Sequence, residues 1–243
     1  MKQTDSAPFP SLRTAYLRAI ARAWREPDYL GKLLQHSQDR RGVLDLFEEQ
    51  YKFKFPFNIQ FQIAADEGTR PVWEPVGANG WFGFADSFTV YLPEKPKDKE
   101  HEADMLAEYC FRFPTMLGQP TNEYSEAPPD FAAFGVVTSR ILALAWLKDD
   151  YRAMLYAAED ARQLVQDSMD CIIPWNFTLK FKEFPLPDAG FGGLHWLNDV
   201  YWGMFPYTEI LVNLPVAPRN PELNAVALAA YNDTGAQYPF TCG

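Results

Sequence analysis

Cysteine and histidine are scarce in this sequence of 243 residues, which contains three of each. The cysteines are far apart, at Cys110, Cys171 and Cys242. An odd, scattered set does not form a disulfide framework and fits a reducing compartment such as the cytosol. No histidine stands at metal-ligand spacing from another histidine or from a cysteine, so the sequence predicts no metal site.

Long apolar runs are also absent. No run approaches the roughly 20 residues that a bilayer-spanning helix needs. Residues 1–13 (MKQTDSAPFPSLR) contain no hydrophobic signal-peptide region. We therefore expect a cytoplasmic protein without a transmembrane segment.

Basic side chains are few in the second half of the chain. Residues 1–121 carry a net charge of −2 and residues 122–243 a net charge of −8, which together give the −10 of the whole chain. Such a surface repels phosphate backbones, so we expect no nucleic-acid partner. The acidity favours solubility or a basic partner surface.

The usual catalytic motifs are missing as well. The sequence contains no glycine-rich phosphate loop and no serine-hydrolase elbow. Its acidic pairs, Glu48-Glu49, Asp149-Asp150 and Glu159-Asp160, fall in predicted helices. Neighbouring helical side chains point apart instead of converging in a cleft. We therefore predict that the chain is not an enzyme, has no catalytic residues and binds no cofactor.

What the sequence does contain is an internal repeat. Residues 17–34 (LRAIARAWREPDYLGKLL) recur 122 positions later as residues 139–156 (SRILALAWLKDDYRAMLY). Further pairs at this offset are Trp24 with Trp146, Tyr29 with Tyr151, Leu92-Pro93 with Leu214-Pro215, and Tyr109 with Tyr231. Similarity over half a chain indicates a tandem duplication.

The offset shortens in the middle of the repeat. Val43 still matches Val165 at an offset of 122, but Pro56 matches Pro174 at 118. We therefore place the length difference between a helix and the strand that follows it, where a change of loop length costs little.

Helical periodicity opens each unit, and alternating patterns follow. The first unit predicts helices at 11–25, 27–34, 41–50 and 104–109, and strands at 52–63 and 88–92. The second predicts helices at 131–146 and 149–170, and strands at 176–181 and 208–214. Residues 232–243 lack helical periodicity and predict an exposed tail.

These patterns predict an α+β protein, built by tandem duplication of a unit with a helical hairpin and a small antiparallel sheet. We expect the first unit at 1–121. The second, at 122–243, is more divergent and acidic and ends in an exposed Thr-Cys-Gly tail. Trp24 and Trp146 would then be equivalent and would pack the units together across a pseudo-twofold axis.

One known family shares this pattern. The residues concerned are Ala23-Trp24, Pro27, Tyr29, Leu33-Leu34, the strand near 58–63 and the ending Tyr91-Leu92-Pro93. They resemble the N-terminal region of the nitrile hydratase α-subunit and the leader peptides (NHLP) related to it, over residues 11–96 and more weakly over 133–218. Nitrile hydratase binds iron or cobalt through three clustered cysteines after the Leu-Pro strand. Here that region holds only Cys110, so the metal centre of that family cannot form.

The resemblance therefore implies a ribosomal natural-product (RiPP) precursor, similar to the two-chain thiazole/oxazole-modified (TOMM-type) bacteriocin-like proteins with such a leader. In those systems a YcaO-type cyclodehydratase uses ATP to close a Cys, Ser or Thr side chain onto the preceding carbonyl, and a flavin dehydrogenase can oxidise the ring. This implies modification of Cys242 and, less readily, of Thr241. A paralogous second chain, a homodimer, and export by a dedicated transporter after modification are all left open.

Four aromatic residues are candidates for binding a partner: Trp24, Tyr29, Trp146 and Tyr151. Tryptophans at helical spacing are more typical of a core, and this is the role that we favour for Trp24 and Trp146. The alternative function is a non-catalytic nitrile-hydratase-like scaffold or subunit that acts in protein–protein assembly.

Overall fold

The computed structural model describes residues 8–52, 60–75, 80–116, 129–173, 177–184 and 208–233. The helices of the first half are α1 (Pro8–Ala23), α2 (Pro27–His36), α3 (Gly42–Tyr51) and α4 (Glu102–Met116). Its strands are β1 (Gln60–Ala64), β2 (Val72–Trp73), β3 (Trp81–Phe82) and β4 (Ser87–Pro93). The second half forms α5 (Pro129–Leu147), α6 (Asp149–Ala157), α7 (Arg162–Met169), β5 (Thr178–Phe184), β6 (Glu209–Asn213) and α8 (Asn224–Asp233). This mixture confirms the predicted α+β class.

The first two helices of each half are separated by the same break. Glu26 precedes α2 in an extended conformation (φ −125°, ψ 94°), and Lys148 precedes α6 with φ −126° and ψ 105°. Pro27 suits the first turn of α2 because it lacks an N–H that would find no partner there. Asp149 takes this position in α6, where its charge is favourable at a helix N-terminus.

The predicted helix at 149–170 is wrong, because the structure divides it into α6 and α7. The Asp160 side chain accepts a hydrogen bond from the Arg162 N–H at 3.1 Å and one from the Leu179 N–H at 3.2 Å. The Ala161 N–H donates to the Leu179 carbonyl at 2.8 Å. The chain leaves the helix at this point, and Asp160 and Ala161 form hydrogen bonds with the Leu179 backbone at the outer edge of β5.

The helix ends show where the offset changes. Lys52 follows α3 with φ 56°, and Asp170 follows α7 with φ 51°; both are left-handed C-caps and lie 118 positions apart. The four-residue difference therefore lies before α7, between the second and third helices, and its predicted position between a helix and the following strand is wrong. The match of Val43 with Val165 is wrong, because the two residues occupy different positions in their helices.

The four-stranded sheet has the order β1-β6-β4-β5. β1 is parallel to β6, β4 is parallel to β5, and β6 and β4 are antiparallel. Every neighbouring pair among these strands joins one strand from each half. The predicted antiparallel sheet is present as the separate pair β2–β3, whereas the larger sheet is mixed and is shared by the two halves.

The strand register confirms the duplication. Gln60 pairs with Glu209, and Thr178 pairs with Ser87. The first residues of these pairs are 118 positions apart and the second residues 122, so the two parallel pairs are equivalent. At the centre of the sheet Phe88 pairs with residue 210, its equivalent at an offset of 122. A pseudo-twofold axis therefore passes through this central pair.

Helices complete this exchange between the halves. α1 packs against α8, and its equivalent α5 packs against α4. Sequence analysis missed α8, whose Ala227 and Tyr231 side chains are fully buried. The Trp81 indole N–H donates to the Ala227 carbonyl at 2.8 Å. The predicted exposed tail, at 232–243, is wrong in its start, because residues 232 and 233 belong to this helix; the remainder, at 234–243, lies outside the described residues.

No helix in the described ranges has both the length and the apolar character needed to cross a membrane.

Candidate functional site

Trp24 and Trp146, two of the predicted partner-binding residues, lie at the interface between the halves. The Trp24 Nε1–H donates to the Pro215 carbonyl at 2.9 Å, and the Trp146 Nε1–H donates to the Pro93 carbonyl at 3.1 Å. Each tryptophan thus binds the Leu-Pro ending of the other half. Trp146 is 4% exposed, whereas Trp24 is only partly buried and stacks on Trp81 with ring centroids 6.2 Å apart.

Tyr29 and Tyr151, the other two predicted partner-binding residues, make contacts inside their own halves. The Tyr29 hydroxyl donates to Gln50 Oε1 at 2.9 Å and connects α2 to α3. The Tyr151 hydroxyl lies 3.0 Å from Ser168 Oγ and connects α6 to α7. Both tyrosines are buried. Recognition of an outside partner by these tyrosines or by the two tryptophans stays a prediction.

The first half holds the backbone that follows β6. The Leu214 N–H donates to the Ala64 carbonyl at 2.8 Å. Arg70 Nε donates to the Leu214 carbonyl at 2.8 Å, and its Nη2 donates to the Pro215 carbonyl at 3.3 Å. Burial lowers the pKa of this guanidinium. Arg70 therefore binds the backbone of Leu214 and Pro215, since its partners are carbonyl oxygens and not a carboxylate.

A buried carboxylate lies beside this backbone. Asp86 is 6% exposed, and its Oδ1 accepts hydrogen bonds from the Asn213 N–H at 2.7 Å and from Asn213 Nδ2 at 3.3 Å. Burial raises the pKa of Asp86 to about 6, although the two hydrogen bonds from Asn213 oppose the increase. The Thr69 hydroxyl donates to Asn213 Oδ1 at 2.9 Å. Sequence analysis missed Asp86, although the sequence shows this single acidic residue directly before an apolar strand.

The cysteines within the described ranges do not come together. Cys110 is exposed on α4, and Cys171 is partly buried, which raises the pKa of its thiol. The two predicted modification residues, Thr241 and Cys242, lie outside the described residues. Among the residues that the structure does describe, no three His, Cys, Asp or Glu side chains converge as a metal site.

The interface between the halves is therefore one at which two repeats within the same chain bind each other. Its donors are indole, guanidinium and amide groups, and most of their acceptors are backbone carbonyls of the opposite half. Hydrogen bonds of this kind recognise a segment by its backbone and do not depend on the identity of its side chains.

Comparison with known families also divides the chain into two halves. The model of a family of ribosomal natural products, the two-chain TOMM family, matches the chain twice, over residues 8–117 and 129–239. The two matches together cover most of the chain, with one match in each half. No curated protein and no solved structure matches the chain.

Proposed function

Because the chain belongs to the two-chain TOMM family of ribosomal natural products, we propose that it is a precursor whose Cys242 is the substrate for azoline formation. Thr241 is a second, less readily closed target. The two folded units, with boundaries proposed at 1–121 and 122–243, act as the leader that the modifying enzymes recognise. The observation that carries this proposal is the family match in both halves of the chain.

The chemistry at Cys242 can be written in full. Its Sγ attacks the carbonyl carbon of Thr241, and a C–S bond forms. The carbonyl oxygen leaves after phosphorylation by ATP on the cyclodehydratase, and the thiol and amide hydrogens are lost, so that the net loss from the protein is one water. The product is a thiazoline with a C=N bond. A flavin dehydrogenase that takes two hydrogens from the ring would give the thiazole.

The fold supports a leader role through α8. This helix is held by the buried side chains of Ala227 and Tyr231, and the chain beyond it begins at residue 234. The helix therefore fixes the point on the folded body from which the C-terminal segment departs. An enzyme bound to the body would reach Cys242 through a connection of nine residues, from 234 to 242.

Intact mass measurement tests the proposal. The full chain is produced together with a YcaO-type cyclodehydratase, and the C-terminal peptide is fragmented. We expect the loss of one water, or of water plus two hydrogens, localised to Thr241-Cys242. The Cys242→Ala variant should lose the change at that position, whereas Cys110→Ser, on an exposed helical position, should retain it.

The leader role needs a separate comparison. A peptide of residues 232–243 should stay unmodified under conditions that modify the full chain, because it lacks the folded body. An unmodified Cys242 in the full chain would reject the precursor function and favour the alternative, a non-catalytic scaffold.

A further inference from the structure

We propose that residues 238–240 (Tyr-Pro-Phe) bind to an exposed apolar surface of the first half, formed by Val72 and Phe82 and called here the β-hairpin surface. Its occupant is thus a segment of the same chain, and Cys242 follows the bound residues by two positions. The inference rests on the proposed function for its purpose, which is to hold the substrate segment on the leader. The binding itself is a property of the folded chain and needs no modifying enzyme.

The two-stranded sheet of β2 and β3 has two different faces. Val72 pairs with Phe82, and Trp73 pairs with Trp81. Trp81 is 6% exposed and Trp73 packs against the core, so this pair faces the folded body. Successive side chains of a strand point to opposite faces, and Val72 and Phe82 are 47% and 54% exposed. Since paired side chains have Cβ atoms about 4.5–5.5 Å apart, the two form one continuous apolar surface.

Helix α8 brings the C-terminal segment close to this sheet. The Trp81 indole N–H donates to the Ala227 carbonyl at 2.8 Å, and the Trp81 ring lies edge-on to that of Tyr231 with centroids 5.4 Å apart. The Phe84 ring is 6.0 Å from the same tyrosine. α8 ends two residues after Tyr231. The helix therefore ends close to β3, the strand that carries Phe82.

The length of chain beyond α8 fits this distance. Residues 234–237 separate the end of the helix from Tyr238. An extended chain covers up to about 3.5 Å per residue, so the steps from residue 233 to residue 238 span up to about 17 Å. This is about three times the 5.4 Å between the rings of Tyr231 and Trp81. Paired strands are only about 5 Å apart, so the segment can pass the edge of the sheet and reach its outer face.

The composition of the segment suits an apolar surface. Residues 234–243 (TGAQYPFTCG) contain no charged side chain, and their two aromatic residues stand on either side of Pro239. The residue before a proline favours extended conformations, and side chains two positions apart in an extended chain point to the same side. Tyr238 and Phe240 can therefore contact the β-hairpin surface together. Extended proline-containing segments bind aromatic surfaces with a small loss of conformational entropy.

Cleavage by chymotrypsin measures this binding in the full chain. The protease accepts aromatic residues in its specificity pocket. Proline blocks cleavage after Tyr238, so the bond between Phe240 and Thr241 is the reporter, and it is cut when Phe240 leaves the surface. We expect Val72→Thr combined with Phe82→Thr to increase the cleavage rate about tenfold, the factor that burial of one large apolar side chain supplies. Threonine retains a high strand propensity, which preserves the sheet.

Two substitutions in the second half are matched controls. Val136 and Met154 are 62% and 58% exposed on α5 and α6. Val136→Thr and Met154→Gln remove similar apolar surface outside the β-hairpin surface and should leave the cleavage rate unchanged. Urea unfolding should give similar stabilities for all these variants, because each substitution is at an exposed position.

A double-mutant cycle separates direct contact from a general loosening of the segment. Tyr238→Thr keeps the reporter bond and removes one of the two rings. In this background the substitutions at Val72 and Phe82 should change the cleavage rate by less than about twofold, because residues in contact have non-additive effects.

Equal cleavage rates in the wild type and in the variant at Val72 and Phe82 would overturn the proposal. An equal acceleration by the matched controls would do so too, as would an undiminished effect in the Tyr238→Thr background. Each measurement uses the unmodified chain without a cyclodehydratase. The proposal can therefore fail while Cys242 is modified, and it can hold while Cys242 is not.

Discussion

The buried carboxylate of Asp86 should make the stability of this protein depend on pH in an unusual direction. Most carboxylates have a lower pKa in the folded state, so that acid destabilises the protein. Burial instead raises the pKa of Asp86 from 3.8 to about 6. Between these values the folded state binds more protons at this site than the unfolded state. The contribution of Asp86 to the free energy of unfolding therefore falls as the pH rises from about 4 to about 6.

The size of the effect follows from the shift. One pKa unit corresponds to about 1.4 kcal/mol, so a shift of about two units gives about 3 kcal/mol at most. Asp86→Asn keeps an oxygen acceptor for both Asn213 donors and removes the charge. A buried amide without partners for its own N–H groups costs about 1–3 kcal/mol. We expect the variant to equal or exceed the wild type in stability at pH 7 and to be less stable at pH 4.

Urea unfolding from pH 4 to pH 7, followed by tryptophan fluorescence, measures this difference. Asp160→Asn is the control with the opposite sign: burial raises the pKa of Asp160, but its hydrogen bonds with Arg162 and Leu179 outweigh burial and lower it. The Asp160 variant should therefore lose stability relative to the wild type as the pH rises. A difference between wild type and Asp86→Asn that stays constant from pH 4 to pH 7 would refute the reasoning.

Three further substitutions test the packing, each by urea or thermal unfolding. Trp146→Phe removes the hydrogen bond to the Pro93 carbonyl and should lower the free energy of unfolding by about 1–3 kcal/mol; an unchanged value would mean that the interface between the halves does not depend on this bond. Gly42→Ala would bring a Cβ into steric conflict with the His36 carbonyl oxygen and should destabilise by about 1–3 kcal/mol; wild-type stability would contradict the close approach of Gly42 to the end of α2. Lys52→Gly should instead stabilise by about 0.5–1 kcal/mol, because Lys52 has a φ of 56° that only glycine adopts at little cost; a loss of stability would show that the lysine side chain makes a stabilising contact.

The duplication could be predicted from the sequence because a few large or rigid residues kept their spacing. Trp24 and Trp146 each bind a Leu-Pro carbonyl of the opposite half, so the tryptophan and its acceptor are constrained together. The position of the four-residue difference could not be predicted. α3 and α7 share few identical residues, and only the backbone of Lys52 and Asp170 shows which positions correspond.

The strand order could not be predicted from the same patterns. Alternating apolar residues indicate a strand and its buried face, but they do not identify its neighbours. Here each neighbour belongs to the opposite half, and β1 and β6 are about 150 residues apart in the chain. α8 was missed for a different reason. Its sequence, NAVALAAYND, is apolar on several faces and shows no clear helical stripe.

Asp86 shows a further limit of sequence reasoning. Its equivalent at an offset of 122 is Thr208, which is also buried but carries no charge. The repeat therefore indicates a buried polar position and does not predict a buried charge. The charge is tolerated because the Asn213 backbone and side chain both donate to it, and this depends on the contact between the halves.

The shared sheet connects the two ends of the molecule. The chain from β6 to α8, which leads to Cys242, is held by the first half through a hydrogen bond between Trp24 and Pro215, 191 positions apart. A substitution at Trp24 therefore weakens the attachment of α8 and of the segment beyond it, although Trp24 is remote from Cys242 in sequence. If the folded body presents that segment to an enzyme, modification of Cys242 depends on the first half as much as on the second. A leader that consisted of one half would lack either β6 and α8 or the two strands, β1 and β4, between which β6 lies.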